Sequence, residues 1–156
     1  MFGWRKLGRV FDPSVVTGRP WLKEFAQAPA TLVLDDVVRV YFSCRPAADA
    51  NGQYVSYSAY VDLDRADPMR VLGIASEPIL ELGGLGEFDE FGTYPVSVLR
   101  DGDTVRAYYA GWTRCESVPF NVAIGAALSH DGGTTFAKMG NEIGRASCRE
   151  RVSSPV

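Results

Sequence analysis

A long stretch of this sequence occurs twice. The segment APATLVLDDVVRVYFSCR, from Ala28, reads like YPVSVLRDGDTVRAYYAGW, from Tyr94. Pro29 aligns with Pro95, Arg39 with Arg106 and Tyr41 with Tyr108, with one residue inserted near Gly102. The likeness continues where YVSYSAYVDLDRADPMRVLG, from Tyr54, lies over NVAIGAALSHDGGTTFAKMG, from Asn121. There Val55 meets Val122, Ala59 meets Ala126, Asp64 meets Asp131 and Gly73 meets Gly140. A spacing of 66 to 67 residues exceeds the common short repeats and suits a large propeller blade. Such a repeat restricts the chain to copies of one supersecondary unit, each burying its faces against a neighbour.

Within each copy the apolar residues alternate as in antiparallel strands. The first set is expected at residues 32–34, 39–43, 54–61 and 70–74, and the second at 96–99, 105–111, 122–128 and 135–139. Val, Tyr, Phe and Leu dominate these runs, and charged turns separate them: Asp35-Asp36, Asp101-Gly102-Asp103 and His130-Asp131-Gly132-Gly133. No long amphipathic helix is visible. The expected fold is all-β, a β-propeller truncated to about two four-stranded antiparallel blades, at residues 28–75 and 94–140; a β-sandwich is the alternative.

Composition narrows the function classes. Of 156 residues 46% are hydrophobic and 22% charged, enough for a packed core and against disorder. A formal charge of -3 speaks against a nucleic-acid surface. No run approaches the roughly 18 apolar residues of a membrane span, and MFGWRKLGRVFDPS lacks the apolar centre of a secretory signal, so a cytoplasmic location is expected. Cys44, Cys115 and Cys148 have no metal-site spacing and read as packing residues. No metal or cofactor is expected.

The C-terminal run differs from the rest. EIGRASCRERV, Glu142 to Val152, resembles the translated end of a sequencing adapter, as found on metagenomic gene models. It carries three arginines and no strand alternation. Residues 142–156 are therefore expected to be a non-native tail with few core contacts and no regular structure, leaving residues 1–141 as the partial propeller. By the repeat, Pro78 corresponds to Arg145, so the body is expected to stop where another blade should begin.

Several short motifs together resemble a known superfamily. They are Trp4, Gly8 and Phe11; Gln27-Ala28-Pro29; Arg39-Val40-Tyr41-Phe42-Ser43; Gly86-Glu87-Phe88-Asp89; Gly92-Thr93-Tyr94-Pro95; Tyr108-Tyr109-Ala110-Gly111-Trp112; and Ile124-Gly125 with Ser129-His130-Asp131-Gly132-Gly133. Over residues 4–140 their order resembles the first two blades of the five-bladed propeller shared by glycoside hydrolase families 43, 32, 62, 68 and 130. The resemblance implies two opposed carboxylates, one an acid and one a base or nucleophile, projecting from inner strands into a central funnel. It places the first two acids just before prolines. Those positions read Ala28-Pro29 and Tyr94-Pro95 here, and the general acid belongs to a third blade. The implied parent is a carbohydrate-active, glycosidase-like protein, and this chain is expected to be inactive as given. A non-catalytic sugar-binding propeller and a sialidase-like or structural propeller are the alternatives.

The candidate site residues follow from that funnel. Asp89, in an acidic loop with Glu87 and Glu90, is the candidate catalytic carboxylate, against the alternative of a solvated turn. Gln27, Thr93 and Tyr94 open inner strands, where Gln27 and Thr93 offer bonds to sugar hydroxyls and Tyr94 a stacking face. Trp112, Arg114 and Asn121 follow the second strand of the second copy, and Arg45 holds the equivalent place in the first; a tryptophan beside a guanidinium makes a platform for a sugar or carboxylate. Packing between blades is the alternative for these. Residues 129–136 fit S-x-D-x-G-x-x-F, the Asp-box of sialidase propellers, in which Ser129 and Asp131 bond turn backbone above Phe136. His130 is then a turn residue.

Overall fold

The structure, a computed structural model, describes residues 3–145, the side chain of Arg145 excepted. It is all-β apart from a 3-10 turn at Pro13–Val15, which Asp12 caps by accepting the Ser14 N–H at 3.0 Å. The first sheet contains β1 (Glu24–Val33), β2 (Val37–Arg45), β3 (Tyr57–Asp64) and β4 (Val71–Ile74) in sequence order, all antiparallel. The second repeats the plan with β5 (Gly92–Asp101), β6 (Thr104–Arg114), β7 (Phe120–Ser129) and β8 (Ala137–Lys138). A two-residue strand, β9 (Gly144–Arg145), also pairs with β7.

Alternation explains how the sheets stack, because successive side chains on a strand point to opposite faces. On β2, Arg39, Tyr41 and Ser43 face the second sheet. Tyr41 donates to the Gly133 carbonyl at 2.7 Å and Ser43 to that of Thr93 at 3.2 Å. On β6, Val105, Ala107 and Tyr109 return that contact, and Ile79, Leu80 and Phe136 fill the seam. The opposite face of the first sheet, with Phe42, Cys44 and Tyr57, is covered by the N-terminal run. Phe11 lies 5.3 Å from Phe42, Trp21 lies 6.2 Å from Tyr57, and Leu22 is fully buried. Burying each such side chain is worth about 1.5–3 kcal/mol, so this run belongs to the core rather than to a loose end. The Cys44 thiol sits in that layer, and burial pushes its pKa up to about 12.

The turn joining β7 to β8 clamps the two sheets. Asp131 accepts the N–H groups of Thr134 and Thr135, each at 3.0 Å, and the Ser129 hydroxyl at 2.6 Å. Gly132 and Gly133 have φ of 73° and 84°, the left-handed region in which glycine is unstrained. At Gly133 the space is also filled, since a Cβ there would strike the Tyr41 hydroxyl. Phe136 packs edge-on against Tyr41 at 5.8 Å.

Some strand expectations shift. The first strand begins at Glu24 rather than near residue 32. Its early part is exposed and broken by two register shifts, with Phe25 and Ala28 at φ of 63° and 50°. The third starts at Tyr57, because Ser56 leaves the sheet to bridge Gly92 in parallel. The last narrows to Ala137–Lys138. The expectation of no regular structure after residue 141 is corrected at its start. Gly144–Arg145 pairs with β7 and Ile143 donates to the Ile124 carbonyl at 2.8 Å. The edge of β7 offers backbone groups beyond β8, and backbone pairing makes little demand on side chains. Ile143 itself is 61% exposed. Residues 146–156 lie outside the described residues.

Candidate functional site

One end of the paired sheets carries a cleft of about 510 Å³, within the range of small-molecule sites. It forms where β2 and β6 end and β5 and β7 begin. Four of the residues singled out in the sequence meet there: Arg45, Tyr94, Trp112 and Arg114. Gln53, Tyr54, Pro119, Phe120 and Val122 complete the lining, from the two strand-connecting loops and the start of β7.

The two arginines are held by neutral groups. Arg45 donates to the Tyr94 hydroxyl at 2.8 Å and to Ser56 Oγ at 3.2 Å, with its guanidinium 5.2 Å from the Phe25 ring and 5.3 Å from that of Tyr54. Arg114 lies 4.0 Å over the Phe91 ring and donates to the Tyr54 carbonyl at 2.9 Å. Tyr54 thus separates the two cations, its ring under one and its carbonyl bonded to the other. Ring faces attract guanidinium groups without neutralising them. Trp112 packs between Phe91, at 6.0 Å, and Phe120, at 6.5 Å. Its indole N–H is turned inward against Gly92, where a side chain would collide with it, and finds no acceptor among the described residues.

Asp89 lies elsewhere. It is 1% exposed, so the solvated-turn alternative fails for it, and it is absent from the cleft lining. Its carboxylate accepts the Tyr109 hydroxyl at 2.9 Å and pairs with Lys138 at 2.7 Å, leaving Oδ1 without a hydrogen bond. Asp89 and Phe88 press on Gly111, where any Cβ would strike them. Gly111 and Tyr109 share one face of β6, and Trp112 points from the other. Burial and the Asp89 carboxylate both push the Tyr109 phenol well above its usual range. This group fastens the loop before β5 to its own sheet.

The remaining candidates are not brought to the cleft. Thr93 is fully buried, its hydroxyl 2.9 Å from that of Ser58, so it joins the two sheets where a sugar contact was expected. Gln27 is exposed on the irregular part of β1, opposite Ser43. Asn121 is exposed and pairs with Thr113, on the face of β7 opposite to Phe120 and Val122. Sequence reasoning missed Gln53, Tyr54 and Phe120, which sit in or beside loops where no periodicity marks the inward side. Among the described residues no cluster of three or more His, Cys, Asp or Glu could hold a metal, and no helix is long and apolar enough to cross a membrane.

A stack of sequential antiparallel sheets with a cleft at the strand ends defines the class: an all-β protein with a partial, propeller-like fold. The fold is similar to that of Zg3597, a family 117 glycoside hydrolase produced by the marine bacterium Zobellia galactanivorans. The TM-score is 0.61 at 17% identity, over 79% of this chain and 34% of that one. In sequence the chain is 39% identical over 130 residues to two uncharacterized proteins of Mycobacterium tuberculosis, MT1551 and Rv1502. The match takes in 83% of this chain and 41% of each relative, so the chain spans less than half their length. No protein-family profile matches the sequence.

Proposed function

We propose that the chain is part of a carbohydrate-active, glycosidase-like propeller, and that the cleft between Arg45 and Trp112 is where it meets a saccharide. The observation that carries this reading is the convergence of Tyr94, Trp112, Arg45 and Arg114 in one cleft at the strand ends. Aromatic faces pack against the C–H surfaces of sugar rings, and guanidinium groups bond their oxygens. The likeness to a glycoside hydrolase supports the reading at the level of fold. In the longer protein, further blades would close the ring. We read the turn at residues 129–136 as an Asp-box, a folding device that ties neighbouring blades together. In our reading the sequence from residue 142 onward is not native to this unit, although residues 143–145 pair with the edge of β7, and neither nucleic acid nor membrane is a partner.

The chain as it stands binds and does not cleave. Hydrolysis by the usual route needs two carboxylates about 5–10 Å apart across one glycosidic bond. Among the described residues no Asp or Glu lines the cleft, and Asp89 is held by Lys138 on the other face of the sheet. This favours the non-catalytic sugar-binding alternative for these residues. The test is a panel of aryl glycosides and oligosaccharides, assayed for turnover and, by calorimetry, for binding. We expect no turnover above background, and binding that weakens about tenfold in Trp112→Ala, a loss of about 1.4 kcal/mol. Turnover that disappears in Asp89→Ala would overturn the proposal and make Asp89 catalytic.

A further inference from the structure

Some basic side chains of this protein are paired with carboxylates and others are not. Arg39, Arg70, Arg106, Arg9 and Lys138 each have a carboxylate partner, at 2.7 Å for Arg39 with Asp62 and for Lys138 with Asp89. Arg45 and Arg114 have none among the described residues, although the sequence holds more acidic than basic side chains. Both sit in the wall of the same cleft, and among the described residues that wall has no acid.

Their hydrogen bonds sharpen the point. A guanidinium has five N–H donors. Arg45 spends two, on Tyr94 and Ser56, and Arg114 spends one, on the Tyr54 carbonyl. These bonds and the rings beneath fix each guanidinium plane while leaving several donors unmatched. The two guanidinium groups line the same cleft, and an anion bound there meets donors from both. The neutral partners orient the cations without competing for their charge.

We infer that the cleft takes an acidic saccharide, a sugar bearing a carboxylate such as a uronic acid, with Arg45 and Arg114 holding the carboxylate and Trp112 packing on the ring. The inference rests on the saccharide reading above and names the class of sugar. A neutral sugar meets the aromatic wall and single hydrogen bonds from the guanidinium groups, and leaves both charges without a counter-charge.

The experiment compares three ligands on the full chain by calorimetry at low salt: a uronic acid disaccharide, its carboxyl-reduced neutral counterpart, and inorganic sulfate. The acidic disaccharide is expected to bind at least tenfold more tightly than the neutral one, with sulfate weaker than either. Arg45→Gln and Arg114→Gln should each cost the acidic ligand about tenfold and cost the neutral one markedly less. Arg114→Lys, which keeps the charge but loses the fork, should recover part of the loss. Equal affinity for the acidic and neutral disaccharides overturns the inference and leaves the saccharide reading standing. Sulfate binding as tightly as the acidic disaccharide overturns it in favour of a plain anion site. No binding of either disaccharide overturns both readings. The three-ligand comparison on the unaltered chain decides these cases even where a variant fails to fold.

Discussion

The two sheets are built from one repeated pattern, yet matching residues live in different surroundings. Arg39 of β2 is 8% exposed. It makes a two-pronged pair with Asp62 at 2.7 and 2.8 Å, lies 3.9 Å over the Tyr60 ring, and donates across the seam to Thr134 at 3.1 Å. Arg106 of β6, its counterpart, pairs with Asp101 at the surface, where the two side chains are 34% and 56% exposed. The inner strands differ the other way. β5 starts buried, with Ser56 of the first sheet bonded to the backbone of Phe91 and Thr93. Among the described residues no sheet precedes β1, and at its start the backbone turns left-handed at Phe25 and Ala28. A blade's environment is set by which neighbour covers it, and the repeat alone does not say which face that is.

The largest expected difference is between the two ion pairs. Asp62→Ala leaves the Arg39 charge buried without its partner and should cost about 3–5 kcal/mol in urea unfolding. Asp101→Ala, the matched change at the surface, should leave the urea midpoint where it was. Equal losses would mean that Arg39 is not sealed by the second sheet.

A smaller effect is expected at the turn joining β7 to β8. Asp131→Ala should cost about 1 kcal/mol, since it frees the N–H groups of Thr134 and Thr135 much as removal of a helix cap does. Partial burial works against the Asp131 charge, but the bonds from Ser129, Thr135 and Thr134 outweigh it and hold the carboxyl down at about 2. A folded-state pKa below the unfolded value of about 3.9 stabilises the protein above that value and ceases to do so as pH falls towards 2. The stability gap between the unaltered chain and Asp131→Ala, measured by urea unfolding, should therefore be full at pH 6 and narrow between pH 4 and 2.

Much of this architecture was legible because strands with one buried face alternate. β2, β3, β6 and β7 fall close to the runs read from Val, Tyr and Leu. The start of β1 was not, because Phe25-Ala26-Gln27-Ala28 is exposed on an irregular backbone and carries no alternation. The N-terminal run was equally hidden: Phe11, Trp21 and Leu22 are too widely spaced to announce that they cover a sheet. In the site, Arg45, Tyr94, Trp112 and Arg114 were visible as strand-end residues with binding chemistry. Asp89 reads as a funnel carboxylate from its acidic loop before an inner strand; its pairing was not legible, because its partner Lys138 lies 49 residues further on. Tyr54 and Phe120 were missed because residues in loops and at strand ends reveal their inward side only in three dimensions.

The central claim is that the functional surface is the arginine-flanked cleft and that the pair of buried Asp89 with half-buried Lys138 is structural. It is tested most directly by NMR titration of the labelled chain with a uronic acid disaccharide, following backbone amides together with the Trp112 indole and Arg45 and Arg114 side-chain N–H signals. The account predicts saturable shifts concentrated at Arg45, Tyr54, Tyr94, Trp112 and Arg114, with Asp89, Tyr109 and Lys138 unmoved. Shifts centred on Asp89 and Lys138, with the cleft silent, would contradict it.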